Sequence, residues 1–124
     1  MEHRIIIAGS REFLDYSLLE ANVAKIISVL DGKVRIISGC ARGADTLGIR
    51  YAKEHNIALS EFPADWNRYG KSAGYKRNTV MAEFAVSDGN KGILVAFWDG
   101  ISRGTKHMID IANDKGLEVH IIRL

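Results

Sequence analysis

The stretch "KVRIISGCARGADTLG", Lys33 to Gly48, decides how the chain is to be read. A run rich in β-branched residues breaks off at Ser38 and Gly39 and passes Arg42 and Gly43. It then continues with Ala44, Leu47, Gly48 and Tyr51 on one helical face. A buried strand that turns through glycines into a helix is half of a βαβ unit. Gly39 and Gly43 let the chain turn with no Cβ in the way, exposing backbone N–H groups at the start of a helix whose dipole favours an anion. Ser38 can donate a hydroxyl, and Arg42 carries a planar fork suited to phosphate or carboxylate. The group predicted to approach the backbone here is phosphate. Asp45, in the first helical turn, has three roles open to it: capping the helix, orienting Arg42, or accepting from a ribose hydroxyl.

The same alternation of periods runs along the whole chain. "RIIIAG" is an apolar run of the kind buried on both faces, and "DYSLLEANVAKIISVL" places Leu19, Val23, Ile26, Ile27 and Leu30 on one stripe, with Ser17 and Glu20 spaced as a capping box. "VRIIS" is the second strand and Gly43 to His55 the second helix. "IALSEF" is a third strand, followed by a longer loop. "AGYKRNTVMAEFAV" is a third helix, "GILVAFW" a fourth strand, "GTKHMIDIANDKG" a fourth helix closed by Gly116, and "EVHIIRL" a fifth strand. Five strands alternating with four helices predict an α/β, Rossmann-like three-layer sandwich with a mostly parallel sheet, formed by residues 1–124 as one domain.

Composition narrows the setting. The chain is 47% hydrophobic and 26% charged, the balance of a globular protein, and no apolar run approaches the ~20 residues of a membrane helix. The charged start of "MEHRIIIAGS" leads into a short strand, so no signal peptide is predicted. A lone Cys40 offers neither an internal disulfide nor a clustered metal site, and a cytoplasmic location follows as the expectation. A net charge of +2 with scattered basic residues lacks the footprint of a duplex-binding protein.

Ligands of such sheets bind beyond the carboxyl ends of the strands, where the strand order reverses. The four loops there read "GSREF", "SGCARGAD", "FPADWNRYG" and "FWDGISRGT". The first contributes Gly9, Ser10 and Arg11. The last contributes Asp99, Gly100, Ser102, Gly104 and Thr105, a second candidate anion cradle opposite the first. Any βα turn favours glycine and a capping side chain, but four such loops converging on one edge favour a phosphorylated ligand. Neither the P-loop nor the dinucleotide fingerprint is present. Arg77 shares a helical face with Met81 and Phe84 and so points inward. Its partner is either Asp65 or Asp99 in a salt bridge, or an anionic ligand. Trp66 and Trp98 border the cleft and could stack on a base, or could be core.

These loops, together with "GKSAGYKRNTVM", resemble the SLOG superfamily, and more narrowly its small YspA-like branch of bacteria and their phages. The resemblance runs from end to end of the chain. It implies a Rossmann-like domain that binds nucleotides or nucleotide-derived ligands of the ADP-ribose kind. The cofactor-like molecule it predicts is such a nucleotide, with Arg77 and Asn78 among its contacts. Relatives in the wider superfamily include the LOG phosphoribohydrolases and the DNA-processing protein DprA. The hydrolases are similar in an arginine matched by Arg77 and in a Gly-Thr pair matched by Gly104 and Thr105. They continue into a catalytic glutamate, where this chain reads Lys106, His107, Met108 and Ile109. N-glycoside hydrolysis needs a carboxylate, and Asp45, Asp65 and Asp99 are the substitutes available in the loops. The reading is therefore binding or sensing of a nucleotide-derived small molecule. Hydrolysis of one is the alternative, and single-stranded nucleic acid binding is a third. Homo-oligomerisation stays open.

Overall fold

The computed structural model describes residues 1–124. Its strands are β1 (Glu2–Gly9), β2 (Lys33–Ser38), β3 (Ala58–Glu61), β4 (Lys91–Trp98) and β5 (Glu118–Arg123). Its helices are α1 (Tyr16–Ile27), α2 (Ala44–Glu54), a single-turn α3 (Trp66–Tyr69), α4 (Ala73–Val86) and α5 (Arg103–Asp114). The strands form one sheet in the order β3-β2-β1-β4-β5, and every pairing is parallel. The expected three-layer Rossmann-like sandwich is what the chain adopts, with a sheet that is wholly rather than mostly parallel. No helix is long and apolar enough to cross a membrane.

The continuous apolar runs of β1 and β4 follow from burial on both faces. Ile5 and Ile7 join Ile36, Ile93, Val95 and Phe97 under α1 and α2, where Leu19, Val23, Ala44, Tyr51 and Ala52 close one core. The alternate residues, Ile6, Ala8, Ile37, Leu94 and Ala96, face Met81, Ala82 and Ala85 of α4 and Met108, Ile109 and Ala112 of α5. Period-2 side-chain alternation thus divides the β1 and β4 runs between two cores.

Three local features differ from the sequence reading. Helix α1 begins behind Asp15, whose side chain accepts from the Leu18 N–H at 3.1 Å. Ser17 already lies inside the helix, so the Ser17–Glu20 capping box does not form. The stripe also outlasts its helix, which ends at Ile27 while Leu30 packs from the following turn. The loop after β3 contains α3, capped by Asp65, and a 3₁₀ turn at Gly70–Ser72. One turn of helix is too short to leave an apolar period in the sequence.

Candidate functional site

The sheet leaves β1 in both directions, so β1 and β4 flank the point where strand order reverses. Beyond their carboxyl ends lies a cavity of about 230 Å³. Ala8 and Gly9 of β1 form its floor together with Arg11, Ala41 and Asp45. Met81 and Met108 form an apolar wall, and Trp66, Lys71, Gly74, Tyr75, Arg77 and Asn78 close one side. The first turn of α5, with its cap Ser102, Gly104 and Thr105, closes the other. A second hollow of about 450 Å³ adjoins it and shares Arg11, Ala41, Trp66 and Arg77.

Glycines on the β2–α2 turn allow close approach, but by the protein's own groups. Gly43 has φ +78°, and a Cβ there would lie 2.6 Å from the Arg11 carbonyl oxygen. This seats the β1–α1 loop on the start of α2, whose Ala44 N–H donates to the Ser10 carbonyl at 3.2 Å. A Cβ at Gly39 would lie 2.6 Å from Arg77 Nη1 and 2.8 Å from Asp45 Oδ2. The bare backbone at Gly39 is what admits both charged groups to the cavity floor.

Arg77 is held by neutral acceptors alone. Nη1 donates to the Gly39 carbonyl and Nε to Asn78 Oδ1 at 3.1 Å, leaving Nη2 without a protein acceptor. Burial draws the guanidinium below its usual range, opposed by the charge of Asp45. Arg11 and Lys71, the other two cations lining the cavity, form no ion pair either. Asp45 is the one carboxylate in the lining and is only 6% exposed. Burial pushes its carboxyl up to about 6, against the pull of the Ala41 N–H, Arg77 and Arg11. Buried Asn78 ties the two walls together: Nδ2 donates to the Gly104 carbonyl at 3.3 Å and lies 3.2 Å from His107 Nδ1. An amide nitrogen can only donate, so that network assigns the imidazole proton to Nε2.

Of the residues singled out in the sequence, Gly9, Arg11, Asp45, Trp66, Arg77, Asn78, Ser102, Gly104 and Thr105 meet at the cavity. Gly39 and Arg42 line the adjoining hollow, where Arg42 is 72% exposed and pairs with Glu12 at 2.8 Å. Ser10 and Ser38 are buried inside the turns. Ser10 Oγ accepts from the Glu12 N–H, while Ser38 Oγ donates to the Asp45 carbonyl and accepts from the Cys40 N–H. The salt bridge considered for Arg77 is not made. Asp65 accepts from the Arg68 N–H at the head of α3, and Asp99 accepts from the N–H groups of Ile101 and Ser102, both at 2.8 Å. Those two N–H groups hold the Asp99 carboxyl below the usual carboxylate range. Gly100 lies against Arg123, whose guanidinium stands 5.4 Å from the Trp98 ring centre. Trp98 Nε1 donates to the Ser102 carbonyl at 3.1 Å, and the ring is not part of the cavity lining.

Residues 3–69 match the YspA, cpYpsA-related SLOG family. The chain is also 30% identical over 121 residues to the Gene 61 protein of Mycobacterium phage D29, an alignment covering 94% of this chain and 93% of that protein. The chain belongs to the YspA, cpYpsA-related SLOG family. No solved structure matches it. The SLOG family match ends at α3, so it includes Arg11, Asp45 and Trp66, whereas Arg77 and the first turn of α5 lie beyond it. Lys71 and Tyr75 are cavity residues that sequence reasoning passed over. Their signal was present: between Asp65 and Glu83 the chain has four basic residues and no acidic one. Tyr75 is half-exposed and packs on His107 with ring centres 4.6 Å apart.

Proposed function

We propose that the protein binds a nucleotide or nucleotide-derived ligand, of which an ADP-ribose-like molecule is one form. Its phosphate sits among Arg11, Lys71, Arg77 and the first turn of α5. The observation that carries this reading is the convergence of three cations lacking ion pairs on one cavity at the strand reversal. A helix N-terminus adds a favourable dipole and free N–H groups. The cavity is smaller than the roughly 300–1,000 Å³ typical of drug-sized ligands, so it suits a phosphosugar, with the base left at the rim. Trp66, 50% exposed at that rim, offers the base a stacking face. Membership of the SLOG family supports the reading, and the whole chain, residues 1–124, then acts as one binding domain.

Thermal denaturation with adenine and guanine nucleotides, ADP-ribose and NAD tests it. A ligand at a hundred times its dissociation constant adds about 2.7 kcal/mol, a shift of several degrees. No shift with any of them would remove the reading. One observation favours hydrolysis of such a ligand as a second reading: Asp45 brings a carboxyl with a pKa raised to about 6 into the cavity, near the range suited to acid–base chemistry. Asp65 and Asp99 are absent from the lining. Release of free base from nucleoside monophosphates or ADP-ribose separates the two, since binding alone returns the ligand intact.

A further inference from the structure

A carboxylate on the floor of an anion site opposes its purpose, because it repels the phosphate that the arginines attract. Helix geometry does not account for it. Asp45 Oδ2 accepts from the Ala41 N–H at 3.2 Å, a bond that asparagine would make equally well. Oδ1 has no donor in the protein, although the residue is only 6% exposed and lines the cavity. No side-chain acceptor here is both fully buried and unpaired, so Oδ1 keeps an open side, and the space Asp45 borders is the cavity. Arg77 does not fill the gap, since it donates to Gly39 and Asn78 and makes no ion pair with Asp45.

We infer that Asp45 is a specificity-determining residue: its Oδ1 accepts a hydroxyl hydrogen from the ligand, so the cavity selects a phosphorylated sugar over a phosphate ester without hydroxyls. This rests on the phosphate reading above and adds a second requirement to it. The ligand must present an anion to Arg77 and, on the same small group, a donor to Asp45.

Two probes isolate that requirement. Ribose 5-phosphate and tetrahydrofurfuryl phosphate share the phosphate and the five-membered ring, and only the first carries hydroxyls. By calorimetry, the protein should bind ribose 5-phosphate about tenfold or more tightly than the other, the usual worth of a hydrogen bond to a charged group. Asp45→Asn should bring the two within about threefold by weakening ribose 5-phosphate and leaving its partner as tight or tighter. Should that variant fail to fold, the preference of the unaltered protein serves instead. It should shrink between about pH 8 and pH 5 as Asp45 takes up a proton, while the common phosphate cancels from the ratio. The other titratable groups acting on Asp45 are Arg77 from α4, Arg11 from the β1–α1 loop and Cys40 from its own turn. Burial and Glu61 raise the Cys40 thiol, so it stays neutral across this range. Equal affinity for the two probes, or a preference unmoved by both Asp45→Asn and pH, overturns the inference while leaving the phosphate site standing. Failure of both probes to bind overturns both.

Discussion

The two ends of the sheet carry the same kinds of side chain in opposite states. At the amino edge, Arg4 and Arg35 converge on Glu2 at 2.9 and 2.8 Å. Arg4 also donates to the Phe84 carbonyl and to Ser87 Oγ and lies over the Phe84 ring, while Arg35 donates to Ser60 Oγ. At the carboxyl edge, Arg77 meets only neutral acceptors, and Arg11 and Lys71 form no ion pair. The carboxyls move accordingly. Hydrogen bonds from Arg35 and Arg4 hold Glu2 low, whereas burial drives Asp45 up to about 6. A partly buried charge whose partners are all supplied by the chain serves the fold. One left facing a cavity has no such partner in the chain, and the proposed ligand would supply it.

Arg4→Ala should produce the largest effect. It removes an ion pair, two further hydrogen bonds and a cation–π contact, and leaves Glu2 with Arg35 as its one remaining partner. The expected cost is about 4 kcal/mol in denaturant unfolding, with nucleotide affinity unchanged in the folded fraction. A loss below about 1 kcal/mol would erase the distinction between the two edges.

Asp45→Asn should stabilise instead. The folded-state pKa of about 6 lies above the ordinary value of 3.8, so the folded protein holds the proton more tightly and stability falls as pH rises between those values. The penalty persists at neutral pH, where removing the charge should return up to about 3 kcal/mol. The gain should vanish below about pH 4. Glu2 runs the other way: its pKa is depressed, so its contribution is present above the ordinary 4.5 and is lost as pH falls. Melting curves of Glu2→Gln and Asp45→Asn across pH should therefore diverge in opposite senses, and parallel curves would contradict the comparison.

Arg77→Ala should cost about 1.5 to 3 kcal/mol of nucleotide binding by calorimetry, with less effect on unfolding than Arg4→Ala. Unfolding with unimpaired affinity would make Arg77 a structural residue. Lys71→Ala, at the exposed rim, should weaken binding by less than about 1 kcal/mol and reduce its salt dependence. An effect as large as that of Arg77 would place the phosphate at the rim.

The fold was legible because periodicity and turn chemistry agreed at most of the long elements, α1 with its Asp15 cap being the exception. β1, α2, α4 and β4 lie where their apolar spacing placed them. The site was legible to the level of loops, since strand ends in a parallel sheet share one edge. Partner choice within the loops was not. Asp65, Asp99 and Asp45 are all aspartates in the loops and first turns that follow a strand, yet backbone N–H groups at a helix start engage the first two, and only the third turns into the cavity. That distinction depends on approach distances at Gly39, set by Arg77, a residue 38 positions away.

From His3 to Gly9 each residue of β1 pairs with one 88 positions further on, His3 with Lys91 and Gly9 with Phe97. During synthesis at roughly 5–20 residues per second, one edge of the central strand therefore stays open for roughly 4 to 18 seconds after it emerges. β2 can cover the other edge early, being adjacent in sequence. The half-built sheet then presents Ile5, Ile6 and Ile7 beside a row of unpaired amides, the surface on which nascent chains associate wrongly. Loop-closure entropy opposes so distant a pairing until β4 arrives, so the arrival of β4, rather than any local helix, sets when this protein becomes safe from aggregation.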